Sequence, residues 1–314
     1  MRVQVAAFYR FVSFTAAELP LWRERLQAFG RAGDLRGTVL LAGEGINGTV
    51  CGSATGVGAL LDHLQADPRL AGLEVKRSEA THQIFHRFKV RLKQEIVTMG
   101  VPSVAPRAGS GVPVAAEHWN DLLADPDTLV IDTRNGYEVA LGSFEGAIDP
   151  DTASFRDFPV WVERQLRPLV ADRRPRRLAL FCTGGIRCEK ATAHLLAEGF
   201  TGVHQLQGGI LRYLERVPEA ASRWRGECYV FDQRVALDHR LVPGHHSLCH
   251  ACGLPLSPAD RALASHVEGV SCRHCIGRFS AADRERFAER QRQMALADLR
   301  GDRHIGRAMP PADR

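Results

Sequence analysis

The sequence predicts a multi-domain α/β protein, and three observations carry that expectation. Its 314 residues exceed the roughly 100–200 that one domain usually holds. Apolar runs of strand length alternate with segments of helical period along most of the chain. Near the carboxyl end, four of the eight cysteines fall into two closely spaced pairs. With 45% hydrophobic and 25% charged residues, the composition excludes disordered and fibrous classes.

Residues 1–100 read as β-α-β-β-α-β. The apolar run Val3–Phe11 is followed by a helical stretch, Ala16–Ala28, with Leu19, Trp22 and Leu26 near helical spacing. Two strand-like runs, Thr38–Ala42 and Thr49–Cys51, flank Gly43-Glu44-Gly45-Ile46-Asn47-Gly48, whose glycines and Asn supply the left-handed conformations of a tight hairpin. A second helix covers Val57–Gln65, with Leu60, Leu61 and Leu64 on one side, and a strand runs through Phe88–Val97. This order matches the split β-α-β, ferredoxin-like pattern of an α+β domain.

Residues 101–113, rich in Pro, Gly and Ser, read as a linker. From 114 to 220, helices at Ala116–Leu123, Phe155–Val170 and Cys188–Glu198 alternate with buried strands at Leu129–Ile131, Arg177–Phe181 and Val203–Leu206. That alternation predicts a parallel sheet covered on both faces. Residues 221–280 form a small Cys-rich domain with one β-like run, Cys228–Val235. Residues 281–314 alternate charges in helical register and end polar, as expected of a solvated helix followed by disorder.

The formal charge is only +5, from 37 Arg and 4 Lys against 36 acidic residues. It permits an anionic partner without demanding one. No run approaches the roughly 18–20 apolar residues of a membrane helix, and Met1–Phe11 lacks the pattern of a secretory signal. The expectation is a cytoplasmic protein without membrane contact. Its cysteines then serve metal binding or chemistry rather than disulfides.

The most informative stretch is Leu178–Ala191. A buried strand runs into Cys182, a glycine-containing loop follows, and a helix begins near Cys188. The loop residues Thr183, Gly184, Gly185 and Ile186 can curl their N–H groups around the Cys182 sulfur. The helix presents its positive end there, and Arg187 adds a full charge, so thiolate is favoured over thiol. Cys182, Arg187 and Cys188 are the candidate catalytic residues, although Cys188 suits a buried helical position equally well. Arg187 comes one residue too early for the Cys-x5-Arg spacing that wraps a phosphate. The six-residue loop Cys182–Arg187 instead resembles the active loop of rhodanese domains, which fits sulfur-sized groups. Val130–Glu138, followed by Gly142–Ile148, resembles the rhodanese strand-and-turn signature, and Leu206–Ile210 its closing strand. Asp132, Arg134 and Glu138 read as structural residues that hold turns.

Four motifs occur in order: Leu41–Val50, Phe88–Gly100, Cys182–Lys190 and Gly226–Val235. Together they resemble the rhodanese-containing tRNA uridine hydroxylase family over about residues 1–278. The resemblance implies an acylphosphatase-like amino-terminal domain, tRNA as partner, and oxygen-dependent formation of 5-hydroxyuridine at the wobble position. It also implies that Cys182 is the active cysteine, described in such proteins as a persulfide carrier. In the strand Phe88–Lys93, Lys89, Arg91 and Lys93 alternate with the apolar residues and share one exposed face. With Arg87 and Lys190 they are the candidate RNA contacts, although such charge also guards an edge strand.

No flavin, NAD or haem signature is found, and the electron donor is unidentified. Thiolate addition of Cys182 to C6 of an unstacked uracil would activate C5 towards oxygen, with Cys188 supplying reducing equivalents. The same thiolate could serve a sulfurtransferase, and a non-catalytic RNA-binding module is the third reading. Cys249-x2-Cys252 and Cys272-x2-Cys275, 19 residues apart, match a structural zinc site. His245, His246, His250 and His274 lie close enough in sequence to replace a sulfur.

Overall fold

Strand β1 (Val3–Phe11) sets the frame of the amino-terminal domain, because its side chains alternate between two environments. Ala6 and Phe8 enter a core completed by Trp22 and Leu26 of helix α1 (Glu18–Ala32) and by Val57, Leu60, Leu61 and Leu64 of helix α2 (Ala54–Gln65). Ser53 caps α2 by accepting the Gly56 N–H at 3.0 Å, which satisfies one of the amides a helix start leaves open. In the computed structural model, which describes residues 2–104, 106 and 109–301, the domain is a five-stranded sheet. Its other strands are β2 (Arg36–Ala42), β3 (Gly45–Gly52), β4 (Glu74–Ala80) and β5 (Phe88–Leu92), in the order β4-β1-β3-β2-β5. Only the β2–β5 pair is parallel; the others are antiparallel.

Two expectations shift here. The strand that closes the ferredoxin-like pattern is β4, which carries so few apolar residues that periodicity hides it, as befits an edge strand. Phe88–Leu92 is an added fifth strand on the opposite edge, and it stops at Leu92 rather than Val97. The expected six-residue hairpin loop contracts to Gly43-Glu44, because Ala42 already pairs with Gly45. Gly45 sits at φ +152°, with the Arg10 carbonyl oxygen 2.1 Å from where a Cβ would lie. Only glycine fits there.

The second sheet contains β6 (Val112–Val114), β7 (Thr128–Asp132), β9 (Arg177–Phe181) and β10 (Val203–Leu206), all parallel, in the order β6-β10-β9-β7. Its connections include helices α3 (Ala116–Ala124) and α4 (Gly136–Val139), strand β8 (Gly142–Phe144), and helices α5 (Phe158–Trp161), α6 (Arg167–Arg173), α7 (Ile186–Ala197) and α8 (Gly209–Arg216). Period two divides the sheet's side chains between two cores. Leu129, Ile131, Leu178 and Leu180 pack with Phe155, Phe158 and Trp161, while Val130, Ala179 and Phe181 pack with Trp119, Phe144 and Tyr213.

The long helix expected over Phe155–Val170 is broken. A 3-10 turn, α5, a π turn at Val162–Leu166 and α6 follow one another. Pro168, which has no N–H to give, interrupts the ladder. The expected linker is also more than a spacer, since Val104 is buried in the core around Leu129 and Phe155 and Val101 packs against it. The Leu206–Ile210 stretch is no strand beyond Leu206; Gly208 and Gly209 take positive φ and turn the chain into α8.

These two sheets belong to one compact unit, Met1–Val230 with Leu237–Val242. Strand β11 (Trp224–Gly226) pairs with β8, and the two-residue strands β12 (Cys228–Tyr229) and β13 (Ala236–Leu237) follow. The second unit, Phe231–Ala236 with Pro243–Arg314, contains the hairpin β14 (Ser247–Leu248)–β15 (Pro255–Leu256), helix α9 (Pro258–Arg261) and helix α10 (Ala281–Leu299). Its core is Cys249, Leu256, Cys272 and Cys275, with Ala251, Cys252 and Phe279 against them. The helix expected in the tail is therefore present; the expected disorder at its end lies outside the described residues.

Candidate active site

Cys182 follows the last residue of β9, where parallel sheets place their ligands. Gly185, at φ +99°, swings the chain so that its N–H donates to the Cys182 sulfur at 3.1 Å. Helix α7 then starts at Ile186, two residues earlier than its sequence pattern suggests, and aims its positive end at the sulfur. The loop is braced from below: the Ile210 N–H donates to the Cys182 carbonyl at 2.9 Å, and the Leu211 N–H to the Thr183 carbonyl at 3.1 Å. That contact requires Gly209, whose missing Cβ would lie 2.5 Å from the Cys182 oxygen.

Burial alone would push the Cys182 thiol upward. The Cys188 thiol donating to it, the Arg187 charge, and the N–H groups of Cys188 and Gly185 outweigh that and bring it down to about 5. Cys188 moves the opposite way, held protonated well above its ordinary range by burial and by the neighbouring thiolate. The two sulfurs are thus an ionised acceptor and a protonated donor. Both are 0% exposed.

Arg187 is fixed by a two-pronged ion pair to Glu138, at 2.5 and 2.8 Å, and reaches Thr183 Oγ1 at 3.3 Å. Burial would raise the Glu138 carboxyl, but Arg187 and Arg134 hold it below its usual range. Arg134, also 0% exposed, bonds Asp132 at 2.9 and 2.6 Å and the Gly142 carbonyl at 2.6 Å. Asp132 and Arg134 are the structural residues expected. Glu138 does more, because it orients the guanidinium beside the reactive sulfur.

Several residues near the sulfur come from the other sheet and had no signal in sequence. The Tyr9 hydroxyl of β1 donates to Glu189 Oε1 at 2.7 Å and sits 2.9 Å from the point where a Gly185 Cβ would lie. Lys76 of β4 lies over the Tyr9 ring at 5.3 Å and pairs with Glu74 at 3.4 Å. Burial lowers the Lys76 ammonium, and Glu74 first and the Cys182 charge second partly restore it. Burial raises the Glu189 carboxyl. Cross-strand register could have placed Lys76 beside Tyr9, but β4 was not visible as a strand.

Of the expected RNA contacts, Arg87, Lys89, Arg91 and Lys93 are exposed along or beside the edge strand β5. Lys190 is not. It is 1% exposed, and its ammonium donates to Glu44 Oε1 and Oε2 at 3.0 and 2.8 Å, to Glu95 Oε2 at 2.5 Å and to the Val97 carbonyl at 3.1 Å. Four acceptors leave it no valence for a phosphate. It joins α7 to the β2–β3 turn instead.

In the second unit, the sulfurs of Cys249, Cys252, Cys272 and Cys275 all lie within 4.8 Å of one another. Cys272 and Cys275 stand 3.6 Å apart, Cys252 and Cys272 3.7 Å, and Cys249 and Cys275 3.9 Å. The edge of a tetrahedron with metal–sulfur bonds of about 2.3 Å is about 3.8 Å, so the four fit one soft, tetrahedral ion. Among the described residues no histidine joins this set.

Residues 3–96 match the UPF0176 acylphosphatase like domain, and residues 115–216 match the rhodanese-like domain. Three curated relatives bear the name tRNA uridine(34) hydroxylase. The protein of Synechococcus sp. (strain CC9605) is 58% identical over 298 residues, covering 93% of this chain and 91% of its own. That of Parasynechococcus marenigrum (strain WH8102) is 59% identical, with 93% of each chain covered. That of Prochlorococcus marinus (strain MIT 9313) is 57% identical, covering 93% of this chain and 94% of its own.

Proposed function

The chain belongs to the tRNA uridine(34) hydroxylase family, and on that premise we propose that it hydroxylates the wobble uridine of tRNA at C5, with Cys182 as the reacting group. The observation that carries this is a sulfur at the end of β9 that accepts the Gly185 N–H and is faced by the Cys188 thiol, the Arg187 charge and the start of α7, which bring its pKa down to about 5. Such a thiolate is a nucleophile at any physiological pH. The exposed cations of β5 suit the RNA backbone, and an anticodon loop lets a base leave its stack at small cost.

The chemistry balances with oxygen and two thiols. Sγ of Cys182 bonds to C6 of uracil, and the C5=C6 pair moves towards C5 and O4. C5 takes up oxygen and a proton to give a substrate hydroperoxide. Cys188 removes the outer oxygen as its sulfenic acid and leaves the C5 hydroxyl. Loss of the C5 proton expels Cys182 and restores the double bond. Cys182 then closes a disulfide with Cys188, releasing water. A thiol reductant of the cell resets the pair. Since both sulfurs are fully buried, the base must displace part of the wall around the loop to reach them.

The four-cysteine cluster is assigned to structural zinc. Four sulfurs leave no open coordination position, so the ion would staple a domain of very small core rather than take part in the reaction.

The test is nucleoside mass spectrometry of tRNA incubated with the protein and a dithiol, in air and under nitrogen. A gain of one oxygen on uridine in air alone, abolished by Cys182→Ser, supports the proposal; full conversion by Cys182→Ser refutes it. The sulfur-sized loop also suits a persulfide, and a gain of sulfur instead of oxygen would assign a sulfurtransferase. No change in any nucleoside would assign a non-catalytic role.

A further inference from the structure

Helices α1 and α2 cover only one face of the amino-terminal sheet. On the other face, cross-strand register aligns two rows of side chains. One row runs Lys89, Thr38, Thr49, Ala7, Lys76; the next runs Arg91, Leu40, Asn47, Tyr9, Glu74. Directly paired residues point to the same side of a sheet, so each row is a straight path across all five strands. Apart from Leu40, the middle of the path is made of small or polar side chains, and Ala7, Thr38, Leu40, Asn47 and Thr49 all retain partial exposure. Both ends of the face are closed by small apolar clusters, one around Val5 and Ile84, the other around Phe11 and Ile96.

The path is open at one edge and stops at the other. At the open edge stand Lys89 and Arg91, with Lys93 next along the chain, all exposed. At the far side stand Tyr9 and Lys76, and there the path meets the Cys182 loop through the Tyr9–Glu189 bond and the close approach of the Tyr9 hydroxyl to Gly185. Four interstrand steps of about 4.8 Å make it about 19 Å long.

We propose that this helix-free face is the track on which a single-stranded RNA segment lies, crossing from the β5 edge and ending with its target nucleotide between Tyr9, Lys76 and the Cys182 loop. Charge selects the occupant: Lys89 and Arg91 stand at the open end and Lys76, paired with Glu74, at the other, and a centre in which Leu40 is the one large apolar side chain is too polar for an apolar protein helix. Threonine hydroxyls offer hydrogen bonds to sugar and phosphate, and the small side chains let the backbone come close, while the Asn47 amide is held by donating to the Ile96 carbonyl at 3.0 Å. The inference rests on RNA being the substrate, as proposed above, but not on the reaction performed.

Full-length protein is titrated with purified tRNA across a salt series, while nucleoside analysis is run in parallel. Lys89→Gln with Arg91→Gln should reduce the slope of log affinity against log salt by about 1.4, at about 0.7 per lost single-strand phosphate contact. Thr38→Glu, which places a negative charge on the track beside Lys89, should weaken binding at least tenfold, whereas Thr38→Val, which loses only one hydroxyl contact, should weaken it several-fold less than Thr38→Glu does. Arg77→Glu, a larger charge change on β4 facing the helix side, should weaken binding less than Thr38→Glu does. Unchanged slope in the double variant, or equal effects of Thr38→Glu and Arg77→Glu, overturns the track and leaves the face for a protein partner. Wild-type protein that binds tRNA without oxidising it would refute the reaction but not the track, so the two failures are distinguishable.

Discussion

Removing the Cys188 sulfur tests how the reactive thiolate is made. Bringing Cys182 from an ordinary 9.0 to about 5 corresponds to about 5 kcal/mol in favour of the charged form. Burial works against it, and the Cys188 thiol is the largest favourable contribution, ahead of Arg187. A hydrogen bond to a charged group contributes about 1.5–3 kcal/mol, equivalent to a change of about one to two in pKa. Cys188→Ala should therefore move the Cys182 midpoint from about 5 to roughly 6–7. Cys188→Ser keeps a donor at the same position and should leave the midpoint near 5.

The assay is the rate of Cys182 carboxamidomethylation against pH, read from the Cys182 peptide by mass spectrometry so that the other seven cysteines do not interfere. Burial lowers the absolute rate at every pH but leaves the midpoint to report ionisation. The same pair of variants separates the two duties proposed for Cys188. The Ser variant keeps the thiolate yet cannot form the disulfide, so it should stop within one turnover. If the wild-type midpoint lies near 8.5, or if the Ala and Ser variants titrate alike, the reasoning fails.

Three further outcomes are expected. Lys190→Met leaves Glu44 and Glu95 facing each other around an apolar chain. Because both carboxylates keep some solvent, the cost should be about 2–4 kcal/mol, below the full figure for breaking a buried pair, read as a lower denaturant midpoint. Glu95 lies below its ordinary range because Lys190 and backbone N–H groups outweigh its burial. The stability it contributes is thus present above the unfolded carboxylate value and lost as pH falls through the depressed one. The Met variant should lose less stability than wild type over that acid interval. Metal analysis should find about one zinc per chain, and Cys272→Ser or a strong chelator should unfold the second unit, measured by proteolysis of residues 243–301; protease resistance without metal would count against the assignment. Gly209→Ala should disturb the floor of the loop, since both a positive φ and a 2.5 Å approach to the Cys182 carbonyl forbid a Cβ. Its expected signature is a raised Cys182 midpoint with little change in tRNA affinity.

What could be read in the sequence follows how local the cause is. Cys182, its loop and the start of α7 are consecutive, so one stretch shows the nucleophile and the charges that ionise it. The paired cysteines are similarly local. Strand β4 was hidden because an edge strand need bury little, and Tyr9 and Lys76 become meaningful only when β1 and β4 pair in register. Lys190 misled for the same reason. Next to a reactive loop, a lysine reads as a surface cation until the Gly43-Glu44 turn brings its partner across 146 residues.

The burial of Cys182 bears directly on mechanism. A buried thiolate would ordinarily be costly, yet here charges alternate from Asp132 through Arg134, Glu138 and Arg187 to the sulfur. Counted alone, that chain holds three negative and two positive groups. The excess is met by the positive end of α7, and Lys76 lies close enough to exchange charge effects with the sulfur. Under the proposed addition, the negative charge leaves sulfur for the pyrimidine ring, so a site balanced for the thiolate must also accept charge displaced towards the base. Arg187 cannot follow, because Glu138 holds it at two points. Lys76 is held more loosely, by Glu74 at 3.4 Å, which Arg212 also approaches at 3.7 Å, and by the Tyr9 ring at 5.3 Å. The proposed addition therefore requires Lys76→Met to slow turnover more than it weakens tRNA binding, with only a small rise in the Cys182 midpoint. A binding defect alone would confine Lys76 to the RNA track and leave the displaced charge to some other group.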